Sequence, residues 1–276
     1  VLRGRVASRR ARRLPVRLAV QLALLLTAQA PLAAQSVDAI AVPVADLPTS
    51  VRFYTEVLGF REVSRADEVG ADVDAGHGLF GVHVERAVLQ LGDERLVLTE
   101  YLTPRGRPMP ADGRSNDRWF QHVCIVVRDM DRAYAVLRRH RVRHSSPSPQ
   151  TLPAGIPAAA GIRAFYFQDP DGHPLEVLQF PPDKGDPRWH RPGADLFQGI
   201  DHTAVVVADT ERSLRFWRDA LGLRVVGSSE NRGDEQARLN HVFDAHLRIT
   251  TLRGRSGPGV ELLQYVAPVD GRPMPV

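Results

Sequence analysis

The 276-residue chain has one cysteine, Cys124, and one lysine, Lys184. It also has no uninterrupted apolar run of the ~20 residues that a membrane-spanning helix needs. A single thiol excludes an intramolecular disulfide, and Cys124 lies inside a strand-like run where it is not placed for lipidation. No Ser/His/Asp arrangement or phosphate-loop pattern stands out, which leaves triad hydrolysis and nucleotide chemistry without a motif. Acidic residues are missing from residues 1–34, which carry seven arginines. Without that segment the formal charge of +4 becomes 29 basic against 32 acidic residues, near −3. The electrostatic case for nucleic acid goes with it.

The N-terminus reads as a secretory signal. A basic stretch runs to Arg17, an apolar run follows from Leu18 to Ala30, and Pro31-Leu32-Ala33-Ala34-Gln35 offers small residues for cleavage after Ala34. Gln21, Thr27, Gln29 and Pro31 break the run too often for an anchor. Arg9-Arg10 hints at twin-arginine export, but the residues after the pair fit that signal poorly. The expectation is a periplasmic or secreted protein, with no membrane attachment once residues 1–34 are removed.

What is present is a repeat. Asp46, Phe53, Leu58, Gly59, Phe80 and His83 match Asp209, Phe216, Leu221, Gly222, Phe243 and His246, each pair 163 residues apart. After small insertions Gly106-Arg107-Pro108-Met109-Pro110 returns as Gly271-Arg272-Pro273-Met274-Pro275. A unit of this size is a structural module. A more divergent copy lies between the two, where Gln121 to Asp129 follows the pattern of Asp201 to Asp209.

Each copy opens on a strand-like run ending at an acidic residue, followed at once by a helical stripe: Val51, Tyr54, Leu58; Met130, Ala133, Leu137; Leu214, Trp217, Leu221. Gly59 and Gly222 fall where a left-handed helix cap is expected. Later strands are expected over 81–90 and 95–101, 163–168 and 174–180, and 246–252 and 259–266, giving βαβββ modules. The joins 103–118 and 181–198 are rich in Pro, Gly and Arg and suit exposed linkers.

Strand alternation separates His122 and Cys124 from the apolar row Val123, Ile125, Val127, and it exposes His202 in the same way. Glu176-Val-Leu-Gln-Phe180 aligns with Glu261-Leu-Leu-Gln-Tyr265, so one imidazole and one carboxylate per module can converge on a sheet face, as a divalent-metal site requires. His83 and His246 suit packing or surface roles, His173 belongs to a turn, and Cys124 has no basic neighbour in sequence to activate it.

The motifs His-x6-Asp, Phe-Tyr-x3-Leu-Gly-Phe (53–60), Asp-Pro-Asp-Gly-His-Pro-Leu-Glu (169–176) and Val-Glu-Leu-Leu-Gln-Tyr (260–265) resemble the vicinal oxygen chelate superfamily of glyoxalases, bleomycin resistance proteins and extradiol dioxygenases. The resemblance implies an α+β fold: three tandem βαβββ modules that pair into cupped mixed β-sheets with helices on the outer face. It also implies a divalent ion (Zn, Ni, Mn or Fe(II)) on His122, Glu176, His202 and Glu261, the glutamates being the catalytic candidates. Module 1 departs from the pattern, with Ala39 at the histidine position and Val97 at the glutamate position.

On this reading residues 37–182 form one domain (modules 37–104 and 119–182), 183–198 a linker, and 199–276 a lone module that ends short of a continuation. A homodimer would complete that lone module. The alternative pairs modules 2 and 3 and assembles all four ligands. The expected activity is a lyase or isomerase of a small oxygenated compound, with ring-cleaving dioxygenation and metal-free ligand binding as the other classes.

Overall fold

The computed structural model describes residues 36–193 and 195–274, so the leader expected over 1–34 lies outside the described residues. Among the described residues no helix is long and apolar enough to cross a membrane.

Module 1 runs β1 (Ile40–Val44), α1 (Leu47–Glu56), β2 (Arg61–Val69), α2 (Ala71–His77), β3 (His83–Leu91) and β4 (Glu94–Thr103). Module 2 comprises β5 (Phe120–Val127), α3 (Met130–Arg139), the short β6 (Arg143–His144) and β7 (Gln150–Thr151), then β8 (Arg163–Gln168) and β9 (Pro174–Gln179). Module 3 comprises β10 (Phe197–Val206), α4 (Thr210–Leu214) continued by a wider helical turn over Arg215–Ala220, β11 (Arg224–Asn231), α5 (Asp234–Asn240), β12 (His246–Arg253) and β13 (Gly259–Ala267). In each module the first strand lies parallel to the last.

The helix starts share one cause. Asp46, Asp129 and Asp209 each turn a carboxylate onto the backbone N–H three residues on, satisfying a donor that the helix leaves free. After α1 and its counterpart in module 3 the chain reverses through Gly59 and Gly222, both at φ 75°, where an L side chain is strained. The small helices α2 and α5 escaped the sequence reading because each is only seven residues long.

Strand order is β1-β4-β3-β2 in a four-stranded sheet and β11-β12-β13-β10-β5-β9-β8-β6 in a second, larger one, with β7 attached to β8. The larger sheet joins modules 2 and 3 through antiparallel pairing of β5 with β10. This corrects the expected grouping of modules 1 and 2 into one cup and the lone standing of module 3. The first module is the one without a partner in its sheet, and β1 is an edge. The rows Val123, Ile125, Val127 and Met130, Ala133, Leu137 bury against Val51, Tyr54, Leu58 and Leu98 of module 1 in one hydrophobic core. Modules 1 and 2 thus meet back to back, because their apolar faces are the helix sides. Tyr54 adds a buried hydrogen bond of 3.1 Å to Asp169 across this junction.

The linkers are less exposed than composition suggests. Trp189 is buried within a short 3-10 helix (Pro187–His190), and the Asp117 carboxylate is fully buried. Asp117 accepts the backbone N–H of Arg114 at 2.9 Å and of Arg272 at 2.8 Å, together with the Arg272 guanidinium at 2.7 Å. The exit of module 3 is thereby pinned to the join between modules 1 and 2. Arg272 is half in solvent, which screens the ion pair and reduces its worth relative to a fully buried one. Asp117→Ala should lower stability by about 1.5–3 kcal/mol, read as a drop in the urea midpoint with an unchanged slope.

Candidate metal centre

Cross-strand register decides which side chains meet. His202 lies opposite Cys124, and Ala204 opposite His122. On the flanks β9 sets Glu176 beside Cys124, and β13 sets Glu261 beside Ala204. The result is two neighbouring rows, Glu176-Cys124-His202 and His122-Ala204-Glu261, related by the repeat itself. The small side chains Cys124 and Ala204 leave the space over which the others converge.

His122 Nε2 lies 3.0 Å from Glu176 Oε2 and 3.2 Å from His202 Nε2. His202 Nε2 is 3.5 Å from both Glu176 Oε2 and Glu261 Oε2. One ligand atom each from His122, Glu176 and His202 falls within a 4.8 Å group, and all three residues are buried. Glu261 sits at the rim of this trio. Its side chain is 19% exposed against 5% for Glu176, and its Oε1 accepts the Thr251 hydroxyl at 2.9 Å.

The other nitrogens explain why this trio suits a cation. His122 Nδ1 meets the Gln121 amide oxygen, and His202 Nδ1 meets Asp201 Oδ2 at 2.9 Å. Both partners are acceptors, so each Nδ1 carries a proton and each Nε2 is the atom that can offer a lone pair to a metal. These two nitrogens and a carboxylate oxygen face one point, where the metal-free site favours a proton on His202. A divalent ion at that point would take the place of that proton, and nitrogen–oxygen donors of this kind suit Zn, Ni, Mn or Fe.

Without a metal, protonation balances the buried negative charge of the site. Burial pushes the Glu176 carboxyl up, but His122 and His202 outweigh it and hold the pKa down to about 2. Burial opposes a charged His202, yet the carboxylates of Glu261 and Asp201 raise its pKa well above the usual imidazole value. Asp201 stays ionised despite burial because His202 and Arg253 hold its carboxyl far below the ordinary range. The Cys124 thiol faces the site, but burial and then Glu176 push it well up, so it is a neutral floor residue.

The walls are aromatic and apolar. Tyr166 packs its ring 5.0 Å from that of His122. Leu239 of α5 closes over Leu152, Ile156 and Tyr166 of module 2, and the Ser146 hydroxyl donates to the Leu239 carbonyl at 2.6 Å. Tyr265 is buried near Tyr166, and its hydroxyl has no partner among the described residues.

The four candidate ligands are therefore neighbours, three closely grouped and Glu261 adjoining. His83 and His246 stand apart in surface pairs with Asp67 and Glu230, each at 2.6 Å. His173 closes its turn onto Asp169 at 3.0 Å. The sequence reading missed Gln121 and Asp201, although each directly precedes a candidate histidine. It also missed Tyr166, Thr251 and Arg253, which reach the site only through strand pairing.

Comparison with known proteins places this geometry. A family model described as "Glyoxalase/Bleomycin resistance protein/Dioxygenase superfamily" matches residues 36–177 and 199–267. The chain is 32% identical over 158 residues to a 2-epi-5-epi-valiolone epimerase from an Actinomyces species, covering 54% of this chain and 81% of that protein. It is 23% identical over 220 residues to glyoxalase I of Saccharomyces cerevisiae, covering 72% of this chain and 60% of the relative. The crystal structure of glyoxalase I from Zea mays superposes with a TM-score of 0.55 at 16% identity, over 84% of this chain and 68% of that one. With its repeated βαβββ topology and its match over both the first two modules and the third, the chain belongs to the glyoxalase, bleomycin resistance protein and dioxygenase superfamily, the vicinal oxygen chelate proteins.

Proposed function

We propose that the chain is a divalent-metal-dependent lyase or isomerase of glyoxalase or epimerase type, acting on a small α-hydroxycarbonyl compound. The observation that carries this reading is the convergence of His122 Nε2, His202 Nε2 and Glu176 Oε2 with both Nδ1 protons already committed to acceptors. Bound there, a divalent ion supplies Lewis acidity that polarises a substrate carbonyl and acidifies the neighbouring C–H. Glu261, at the rim and partly open, takes that proton and returns it, while the buried Glu176 stays with the histidines. The similarity to an epimerase and to a glyoxalase I supports the class without naming the substrate.

A second reading follows from the trio itself, since two histidines and one carboxylate also suit iron(II) and oxygen insertion into a catechol ring. We propose from residues 1–34 that either activity lies outside the cytoplasm and, with module 3 paired within the chain, that a homodimer forms along an edge of the module 1 sheet.

The chain is purified without chelator and analysed for metal, then incubated with hydroxyketones in deuterated water and with catechols under oxygen. About one ion per chain and deuterium uptake beside the carbonyl support the lyase or isomerase. Oxygen uptake selects the dioxygenase, and a protein that binds ligand without metal sinks both.

A further inference from the structure

The two histidines are not backed alike. At the same repeat position, Gln121 offers His122 a neutral amide, whereas Asp201 offers His202 a carboxylate. The Gln121 amide nitrogen has no partner among the described residues, so that support ends within one residue. Asp201 is the start of a longer chain of contacts. Its Oδ1 accepts Arg253 Nη2 at 2.8 Å and the Trp189 indole N–H at 3.3 Å. The Arg188 guanidinium lies 3.9 Å over the Trp189 ring. Arg188 in turn donates at 2.7 Å to Glu94, a buried carboxylate at the start of β4 in module 1.

The approach is close enough to need glycine. A Cβ at Gly199 would stand 2.6 Å from Glu94 Oε2 and 3.0 Å from the Trp189 ring, and one at Gly92 would stand 2.4 Å from the Gln198 carbonyl oxygen. Glu94 Oε2 also accepts the Ile200 N–H at 3.1 Å, one residue before Asp201. The β3–β4 hairpin of module 1 is therefore seated against the strand that carries His202. Module 1 supplies no ligand, yet it buries a charge here.

We infer that Asp201 is a positioning residue acting through His202, and that module 1 supports it through Glu94, Arg188 and Trp189, so that a module without ligands sets the strength of the metal site. The inference rests on the reading that His122, Glu176 and His202 bind a metal. A carboxylate on Nδ1–H fixes the ring and strengthens the electron pair on Nε2, and loss of such a partner weakens metal binding by about 10–100-fold. An amide at the same place orients the ring with less donation. The His202 half of the site is then the anchor and the His122 half the weaker arm.

The test uses the purified full chain and two probes, Zn²⁺ and Co²⁺. Affinities come from competition with a chromophoric chelator, ligand field from the visible Co²⁺ bands, and fold integrity from melting of the metal-free protein. Asp201→Asn should bind both ions about 10–100-fold more weakly and shift the Co²⁺ bands. Trp189→Phe and Glu94→Gln should weaken both by a few-fold each, while Gln121→Ala should cost less than Asp201→Asn. Wild-type binding that Asp201→Asn matches within twofold, with unshifted bands, overturns the inference and leaves the metal reading standing. Glu94→Gln and Trp189→Phe that melt earlier but keep wild-type affinity overturn the part assigned to module 1. A wild-type chain that takes up neither ion removes the metal reading itself, and this inference with it.

Discussion

Replacing both His122 and His202 by alanine should take the metal content from about one ion per chain to below about 0.1, because the carboxylates of Glu176 and Glu261, without the imidazoles, cannot hold a divalent ion against solvent. The measurement is elemental analysis after gel filtration, with circular dichroism to show that the fold persists. Metal added at a thousand times its dissociation constant should stabilise the wild type by about 4 kcal/mol and the double variant by nothing measurable. The variant also leaves Glu176 buried without its imidazole partners, and the carboxyl that they hold at about 2 should rise. In the metal-free wild type the folded pKa of Glu176 lies below the unfolded one. Its contribution to stability is therefore full above about 4.5 and is lost as the pH falls toward about 2. The double variant should lack that acid-sensitive segment of the stability curve. Retention of a full equivalent of metal would place the ion elsewhere.

The second large effect separates the glutamates. Glu261→Gln should keep the metal while lowering kcat/KM by about 10²–10⁴-fold, the usual worth of a positioned proton-transfer group. Glu176→Gln should instead lose metal affinity, since its carboxylate lies 3.0 Å from His122 Nε2 with its side chain almost fully enclosed. The reason is placement. Glu261 neighbours only His202 in the cluster, is tethered by the Thr251 hydroxyl, and is the most exposed of the four at 19%. Equal loss of metal in both variants would make Glu261 a fourth ligand rather than a base. Unchanged turnover in Glu261→Gln would transfer the proton to another group.

Much of the fold can be read along the chain because its causes are local. The three helix-capping aspartates, the glycines at φ 75° and the period-two strands act over a few residues, and the 163-residue repeat shows them twice. His122, Glu176, His202 and Glu261 were legible for a related reason, since repetition marks equivalent places in equivalent strands. Gln121 and Asp201 were no less visible as residues, but nothing local says that a side chain beside a histidine turns back onto its Nδ1. Trp189 and Glu94 had no signal at all. Their roles depend on segments 12 and 107 residues from Asp201 in sequence arriving at the same strand.

Module pairing shows where local information stops. Each module carries an edge, β1, β5 or β10, that can join any other, and alternation fixes only which face of a strand is apolar. Both pairings considered from sequence satisfy that rule. The tertiary structure chooses between them through the apolar helix sides, which bring modules 1 and 2 back to back and leave β5 free to meet β10. The sequence by itself thus determined the modules, their caps and the residues able to bind metal. Only the tertiary structure decided that His122 and His202 share one sheet and that module 1 stands behind them, because those choices depend on burying surfaces between segments far apart in the chain.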